Sequence, residues 1–214
     1  MTPPHRGQPV KLAGTALESA RAATVMVHGR GATSESILTL VPAIEMPGFA
    51  FLAPQAAGNT WYPNSFLAPI PSNEPGITSG IEAIGDVIDR ILAAGVPLKS
   101  VMLLGFSQGA CLSVEYCARN ARRYGGIACL SGGLIGPDGT PRNYSGSFDG
   151  TPVFLGCSDI DPHIPAARVH ETASVLKRIG ADVTAKLYPG MGHLVNDDEI
   201  AHVRAMMQAL VNTE

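Results

Sequence analysis

Six short apolar, β-branched runs recur along the chain: Thr24–His28, Phe49–Ala53, Ser100–Gly105, Gly126–Leu130, Pro152–Gly156 and Asp182–Tyr188. Runs of this length, flanked by turn residues, suit strands buried on both faces of a parallel sheet. Between them the period changes. In Ile77–Leu92 the positions Ile77, Ile81, Ile84, Ile88 and Ile91 recur at three and four, which marks one buried helical stripe. Further helices are predicted over Ser107–Ala121, Pro165–Ile179 and Asp197–Val211. The repeated strand–helix order predicts a doubly wound, mostly parallel α/β sheet with helices on both faces and right-handed crossovers. In such sheets the chemistry gathers in loops at the carboxyl ends of the strands.

One stretch departs from this alternation. Residues 54–75 (PQAAGNTWYPNSFLAPIPSNEP) are rich in proline and asparagine and hold the only tryptophan, Trp61. A loop this long inside a compact domain is usually functional. With Trp61, Tyr62, Phe66 and Leu67 in it, the segment is expected to form an ordered wall beside a binding site. Packing over the core alone is the competing reading.

The chain has 214 residues, a length that fits one domain over 1–214, with about 1–22 as an N-terminal extension or edge element. Hydrophobic residues make up 45% and charged ones 15%, a globular and not a disordered composition. The formal net charge is -3 and the cations form no stripe, so nucleic acid is not an expected partner. No apolar run reaches the length of a signal peptide or a membrane span. Cys111, Cys117, Cys129 and Cys157 stand singly in apolar surroundings. They read as small core residues in a reducing compartment, which points to the cytoplasm.

Candidate chemistry enters at Gly105-Phe106-Ser107-Gln108-Gly109, a G-x-S-x-G motif. The strand VMLLG runs into it and an apolar helix leaves it. A turn this tight needs small residues on either side of the serine. It lifts the hydroxyl clear of the sheet, at a helix N-terminus that favours developing negative charge. Gly29-Arg30-Gly31 also follows a strand, but no third glycine and no Gly-Lys-Ser/Thr accompany it, which excludes a nucleotide loop.

A serine hydroxyl needs a base within hydrogen-bond reach. Of six histidines, His5 lies in a terminal segment expected to be mobile, and His170 and His202 fall mid-helix. His28 ends the first strong strand. His193 sits in the glycine-punctuated loop Tyr188-Pro189-Gly190-Met191-Gly192-His193, before the last helix, and is the chosen base; His163 is the runner-up. Where the order is that of α/β-hydrolases, Ser…Asp…His, an acid must lie between them. Asp159 and Asp161 compete. Asp161 precedes a proline that biases its backbone toward an extended form, and is preferred; Asp159 reads as a loop brace. An oxyanion hole is then required. One N–H is expected from Gln108 and another from the loop His28-Gly29-Arg30-Gly31-Ala32.

Together these residues resemble the phospholipase/carboxylesterase family of small α/β-hydrolases, which includes bacterial carboxylesterases and the acyl-protein thioesterases. The resemblance runs from about Thr24 to the C-terminus and rests on VMVHGRGAT, LLGFSQGA, ACLSGGL, GCSDIDPHIP and YPGMGH. It implies Ser107, Asp161 and His193 as catalytic triad, the backbone N–H groups of Arg30 and Gln108 as oxyanion hole, and no metal or organic cofactor. Trp61, Phe66, Leu67 and His163 are the pocket candidates. The chain departs from many relatives at Ala32, where they carry an acid, and over residues 54–75. The expected activity is that of a serine carboxylesterase acting on small-molecule esters of short to medium chain length. A thioesterase and a non-catalytic binding protein on the same fold are the alternatives. A homodimer is left open.

Overall fold

The computed structural model describes residues 3–211. The two ends of the 1–214 assignment therefore lie outside the described residues. The strands are Val10–Gly14 (β1), Ala22–Val27 (β2), Phe49–Pro54 (β3), Val101–Phe106 (β4), Gly126–Leu130 (β5), Pro152–Ser158 (β6) and Asp182–Tyr188 (β7). The helices are Ser34–Leu38 (α1), Val41–Ile44 (α2), Gly76–Ala93 (α3), Gln108–Arg119 (α4), Ala166–Arg178 (α5) and Asp197–Val211 (α6). The strands form one seven-stranded sheet in the order β1-β3-β2-β4-β5-β6-β7. Only β1 runs antiparallel, against β3. The fold class is thus the expected doubly wound α/β sheet.

Every expected strand forms, within two residues of the predicted ends. The reason is visible in the burial of successive residues. In β4, Val101 and Leu103 face a core shared with α3, α4 and α5, while Met102 and Leu104 face a second core shared with α1, α2 and α6. A strand buried on both faces leaves no polar alternation. β1 carries the opposite signature: it is short, lies at the sheet edge and is half exposed, so no apolar run announces it. The four cysteines are free and buried, as their surroundings implied. No helix among the described residues is long and apolar enough to cross a membrane.

The strand order places the candidate residues. After β3 the chain crosses from one side of β2 to the other and continues as β4. A crevice opens outside the carboxyl ends at such a switch point. The loop after β2 and the turn after β4 both empty into it.

Candidate active site

The turn after β4 is strained at Ser107 itself. Ser107 has φ 56° and ψ -122°, a backbone conformation that L residues rarely adopt. Such strain persists only where the surroundings over-determine it. A Cβ on Gly105 would lie 2.5 Å from Gly109 O, and one on Gly109 would lie 2.5 Å from His28 O. Both glycines of the motif are therefore required by close backbone approach. Ser107 N–H donates to Leu130 O (3.0 Å), and Cys111 N–H donates to Ser107 O (3.0 Å), so the elbow is pinned to β5 and to its own helix.

His193 and Asp161 arrive from the loops after β7 and β6. The Ser107 hydroxyl donates to His193 Nε2 at 2.8 Å. On the other side of the ring, Nδ1–H donates to Asp161 Oδ2 at 2.7 Å. The two bonds together fix the imidazole tautomer. The Asp161 carboxylate is fully buried. Burial alone would push its pKa up, but His193 and the backbone N–H groups of His163 and Ile164 hold it below the usual value. Asp159 does not reach the histidine. Its Oδ1 accepts from Gly190 N–H at 2.8 Å, and Ser158 Oγ accepts from Gly192 N–H at 3.1 Å. Those two bonds hold the histidine loop, whose Gly190 and Gly192 have φ of 66° and 78°. His163 meets the His193 ring edge-on, centroids 4.9 Å apart.

Arg30 and Gln108 line the same cleft as Ser107. Gln108 opens α4, so its N–H is among the orphans of a helix N-terminus. Arg30 N–H has no backbone acceptor among the described residues. The side chains of both residues turn to residues 61–64. Gln108 Oε1 accepts from Trp61 N–H (2.9 Å) and its Nε2 donates to Tyr62 O (2.8 Å). The Arg30 guanidinium donates to Pro63 O (2.8 Å) and Asn64 O (2.5 Å).

A cleft of about 820 Å³ opens over Ser107. Tyr62, Phe66, Leu67, Phe106, His163 and Ile164 line it, and no acidic side chain does. Of the pocket candidates, Phe66, Leu67 and His163 are therefore in place, and Trp61 is not. Trp61 is fully buried behind the cleft, its Nε1 donating to His28 O at 2.9 Å. The indole anchors the wall and does not form it. Phe66 is held from behind: its carbonyl accepts from Gly136 N–H (2.7 Å), and Arg168 sits 5.8 Å from its ring. His5 also departs from expectation. It is 4% exposed and bonded to residues far along the chain, because its partners are backbone groups of the irregular 54–75 segment. Nothing in a sequence pattern marks a histidine that pairs with backbone. Among the described residues no cluster of three or more metal-ligating side chains occurs.

Comparisons with known proteins agree with this architecture. Residues 15–211 match the family model described as phospholipase/carboxylesterase. The crystal structure of a phospholipase/carboxylesterase from Dyadobacter fermentans is 41% identical, with a TM-score of 0.91 over 94% of this chain and 97% of that one. A probable carboxylesterase SOBER1-like protein of Arabidopsis thaliana is 23% identical over 206 residues, 88% of this chain and 79% of its own. Acyl-protein thioesterase 1 of Gibberella zeae is 30% identical over 142 residues, 62% of this chain and 57% of its own. The chain belongs to the phospholipase/carboxylesterase family and is a hydrolase of the α/β-hydrolase fold.

Proposed function

We propose that this protein hydrolyses short- to medium-chain carboxylic esters through an acyl-enzyme on Ser107. The observation that carries the reading is the continuous line Asp161–His193–Ser107, closed by bonds of 2.7 and 2.8 Å. In the first half-reaction His193 Nε2 takes the Ser107 proton as Oγ attacks the ester carbonyl. Buried Asp161 stabilises the resulting imidazolium. The carbonyl oxygen gains negative charge and is received by the N–H groups of Arg30 and Gln108. His193 then returns the proton to the departing alcohol, leaving the acyl group on Ser107. A water molecule repeats the sequence on the acyl-enzyme, with His193 again as base, and frees the carboxylic acid.

The apolar wall of Phe66, Leu67, Phe106 and Ile164 favours an uncharged acyl chain, and a cleft of about 820 Å³ suits a small molecule. The same groups would attack a thioester, and the thioesterase relative keeps that second reading in view. The test is a chain-length series of aryl esters beside matched thioesters, on the wild type and on Ser107→Ala. Short- and medium-chain oxygen esters are expected to give the highest kcat/KM. Ser107→Ala is expected to lose about 10⁴–10⁶-fold in kcat, as loss of a triad nucleophile does. A consistent preference for the thioester partner would exchange the two readings. Full activity in a folded Ser107→Ala would sink both.

A further inference from the structure

The segment that takes the Arg30 and Gln108 side chains is also held by His5. Residues 61–64 carry no ladder of strand or helix hydrogen bonds, so side chains must hold their peptide groups. On the side of the site these are Arg30 and Gln108, which grip the segment from Trp61 to Asn64. On the opposite side the Trp61 carbonyl accepts from His5 Nε2–H at 2.8 Å. The other ring nitrogen of His5, Nδ1, accepts from Ala57 N–H at 3.1 Å, and its backbone N–H donates to Ser79 Oγ at 2.9 Å. The indole of Trp61 lies between two imidazoles, His5 and His28, each with centroids 5.1 Å away. His28 in turn accepts from Ala56 N–H through Nε2 at 3.1 Å. Gly76, the first residue of α3, packs so closely that a Cβ there would lie 2.5 Å from Trp61 O.

We propose that His5 is a positioning residue of the oxyanion hole: as a neutral imidazole it fixes the Trp61 carbonyl at the start of the segment 61–64, on which the side chains of both donor residues lean. This rests on the reading of Arg30 and Gln108 as the donors. The Trp61 backbone is held on both sides of its Cα, its N–H by Gln108 and its carbonyl by His5. Loss of the His5 bond frees the carbonyl, the segment 61–64 shifts, and the two N–H groups lose their common reference. Donors misplaced by a fraction of an ångström weaken transition-state binding and leave ground-state binding nearly unchanged. Burial, which holds the His5 pKa below its ordinary value, keeps the ring in the neutral form that both bonds require. Among the described residues its neighbours are the Trp61, Ala57 and Gly76 backbones, the Trp61 ring, the Ser79 hydroxyl and the His28 ring, and none of these is a charged side chain.

The experiment compares His5→Phe, His5→Gln and His5→Asn on a short-chain aryl ester and with phenylboronic acid. The boronate forms a tetrahedral adduct with the serine and places an oxygen in the hole. Glutamine can present an N–H where Nε2–H stands; asparagine reaches only the Nδ1 position. In His5→Phe, kcat is expected to fall about tenfold with KM within about twofold, and boronate inhibition to weaken by about the same tenfold, short of the 10²–10³ of losing a donor outright. His5→Gln is expected to recover to within about threefold of the wild type, and His5→Asn is not. A folded His5→Phe with kcat and boronate inhibition unchanged overturns the proposal, as does a loss confined to KM. If His5→Phe fails to fold, the other two variants decide: asparagine as active as glutamine overturns it. Ser107→Ala in the same assays reports on the nucleophile separately. Activity kept there sinks the reading of the site, whereas loss there with full activity in His5→Phe overturns only the role of His5.

Discussion

Gln108 Nε2 and Arg30 Nη1 donate to neighbouring carbonyls, Tyr62 O and Pro63 O, each at 2.8 Å. The two residues follow the ends of paired strands, β4 and β2, and beyond that ladder a shared rail, residues 61–64, ties their side chains together. Gly31 N–H adds a further tie to the same segment, donating to Asn59 O at 2.7 Å. Residues 54–75 thus brace the site as well as wall it. This explains how a proline- and asparagine-rich stretch with only two short 3-10 turns, Ala57–Asn59 and Ile70–Asn73, stays ordered: the peptide groups of residues 61–64 are held by the side chains of Arg30, Gln108 and His5.

The two aspartates of the acid loop are separable by experiment. Asp161→Asn keeps the shape but removes the charge that stabilises an imidazolium, and an amide can present N–H to Nδ1–H. A loss of about 10⁴-fold in kcat is expected. Asp159→Asn keeps an oxygen able to accept from Gly190 N–H, so its loss is expected to stay within about tenfold. Steady-state kinetics on one neutral ester decides the matter, and a larger loss from Asp159 would reverse the roles.

Most of the candidate site is legible in the sequence, for a physical reason. Strands buried on both faces write unbroken apolar runs, and a strained elbow must be flanked by glycine, so Gly105, Ser107 and Gly109 stand out. Asp161 and His193 were narrowed by their places after strands. In the sequence only the following proline separates Asp161 from Asp159, and the folded loops give each its partner, His193 for Asp161 and Gly190 N–H for Asp159. Trp61 was misplaced because an aromatic residue in a long loop looks the same whether it faces ligand or core. His5 was missed because its partners are backbone atoms, which no residue pattern encodes. β1 was illegible because a half-exposed edge strand needs no apolar run.

Glu199 offers a pH prediction. It caps α6 reciprocally with Asn196: its carboxylate accepts from Asn196 N–H, and its own N–H donates to Asn196 Oδ1, both at 2.9 Å. The side chain is fully buried, and Oε1 has no hydrogen-bond partner. Burial pushes its pKa up to about 7, only partly offset by the Asn196 N–H. A folded pKa raised above the unfolded value gives stability that is complete below the unfolded pKa and is lost as pH rises through about 7. Glu199→Gln cannot ionise. Relative to the wild type, its Tm is expected to gain about 2–4 °C between pH 6 and pH 8.5, the equivalent of about 1 kcal/mol in a chain of this size. Parallel Tm profiles for the two proteins would show that Glu199 does not titrate in this range.

The cleft wall should set chain length. Phe66 lines the cleft and is held from behind through its carbonyl by Gly136 and across its ring by Arg168. Phe66→Ala enlarges the acyl site without touching Ser107, so kcat/KM for medium-chain over acetyl esters is expected to rise about tenfold or more. The cavity should also destabilise the fold by about 3 kcal/mol, so Tm is measured beside the kinetics. An unchanged chain-length profile in the folded variant would assign the acyl group to another part of the cleft.

Arg30 carries two separable functions, and substitution can divide them. Its backbone N–H is the proposed oxyanion donor, while its exposed guanidinium ties that loop to Pro63 and Asn64. Alanine keeps the donor and removes the tie. The loop retains its bonds through Gly31 and the His28 carbonyl, so the donor should shift only slightly. Arg30→Ala is therefore expected to lower kcat on a neutral short-chain ester by no more than about tenfold. Proline at the same position deletes the N–H, and losing one donor costs about 10²–10³-fold in kcat. Circular dichroism checks that the proline variant still folds, since the ring constrains φ as well. The two variants should therefore differ by at least about tenfold, and boronate inhibition should follow kcat in each. A collapse of kcat in Arg30→Ala to the level of the proline variant would place the guanidinium itself in the chemistry, because no backbone donor is lost there.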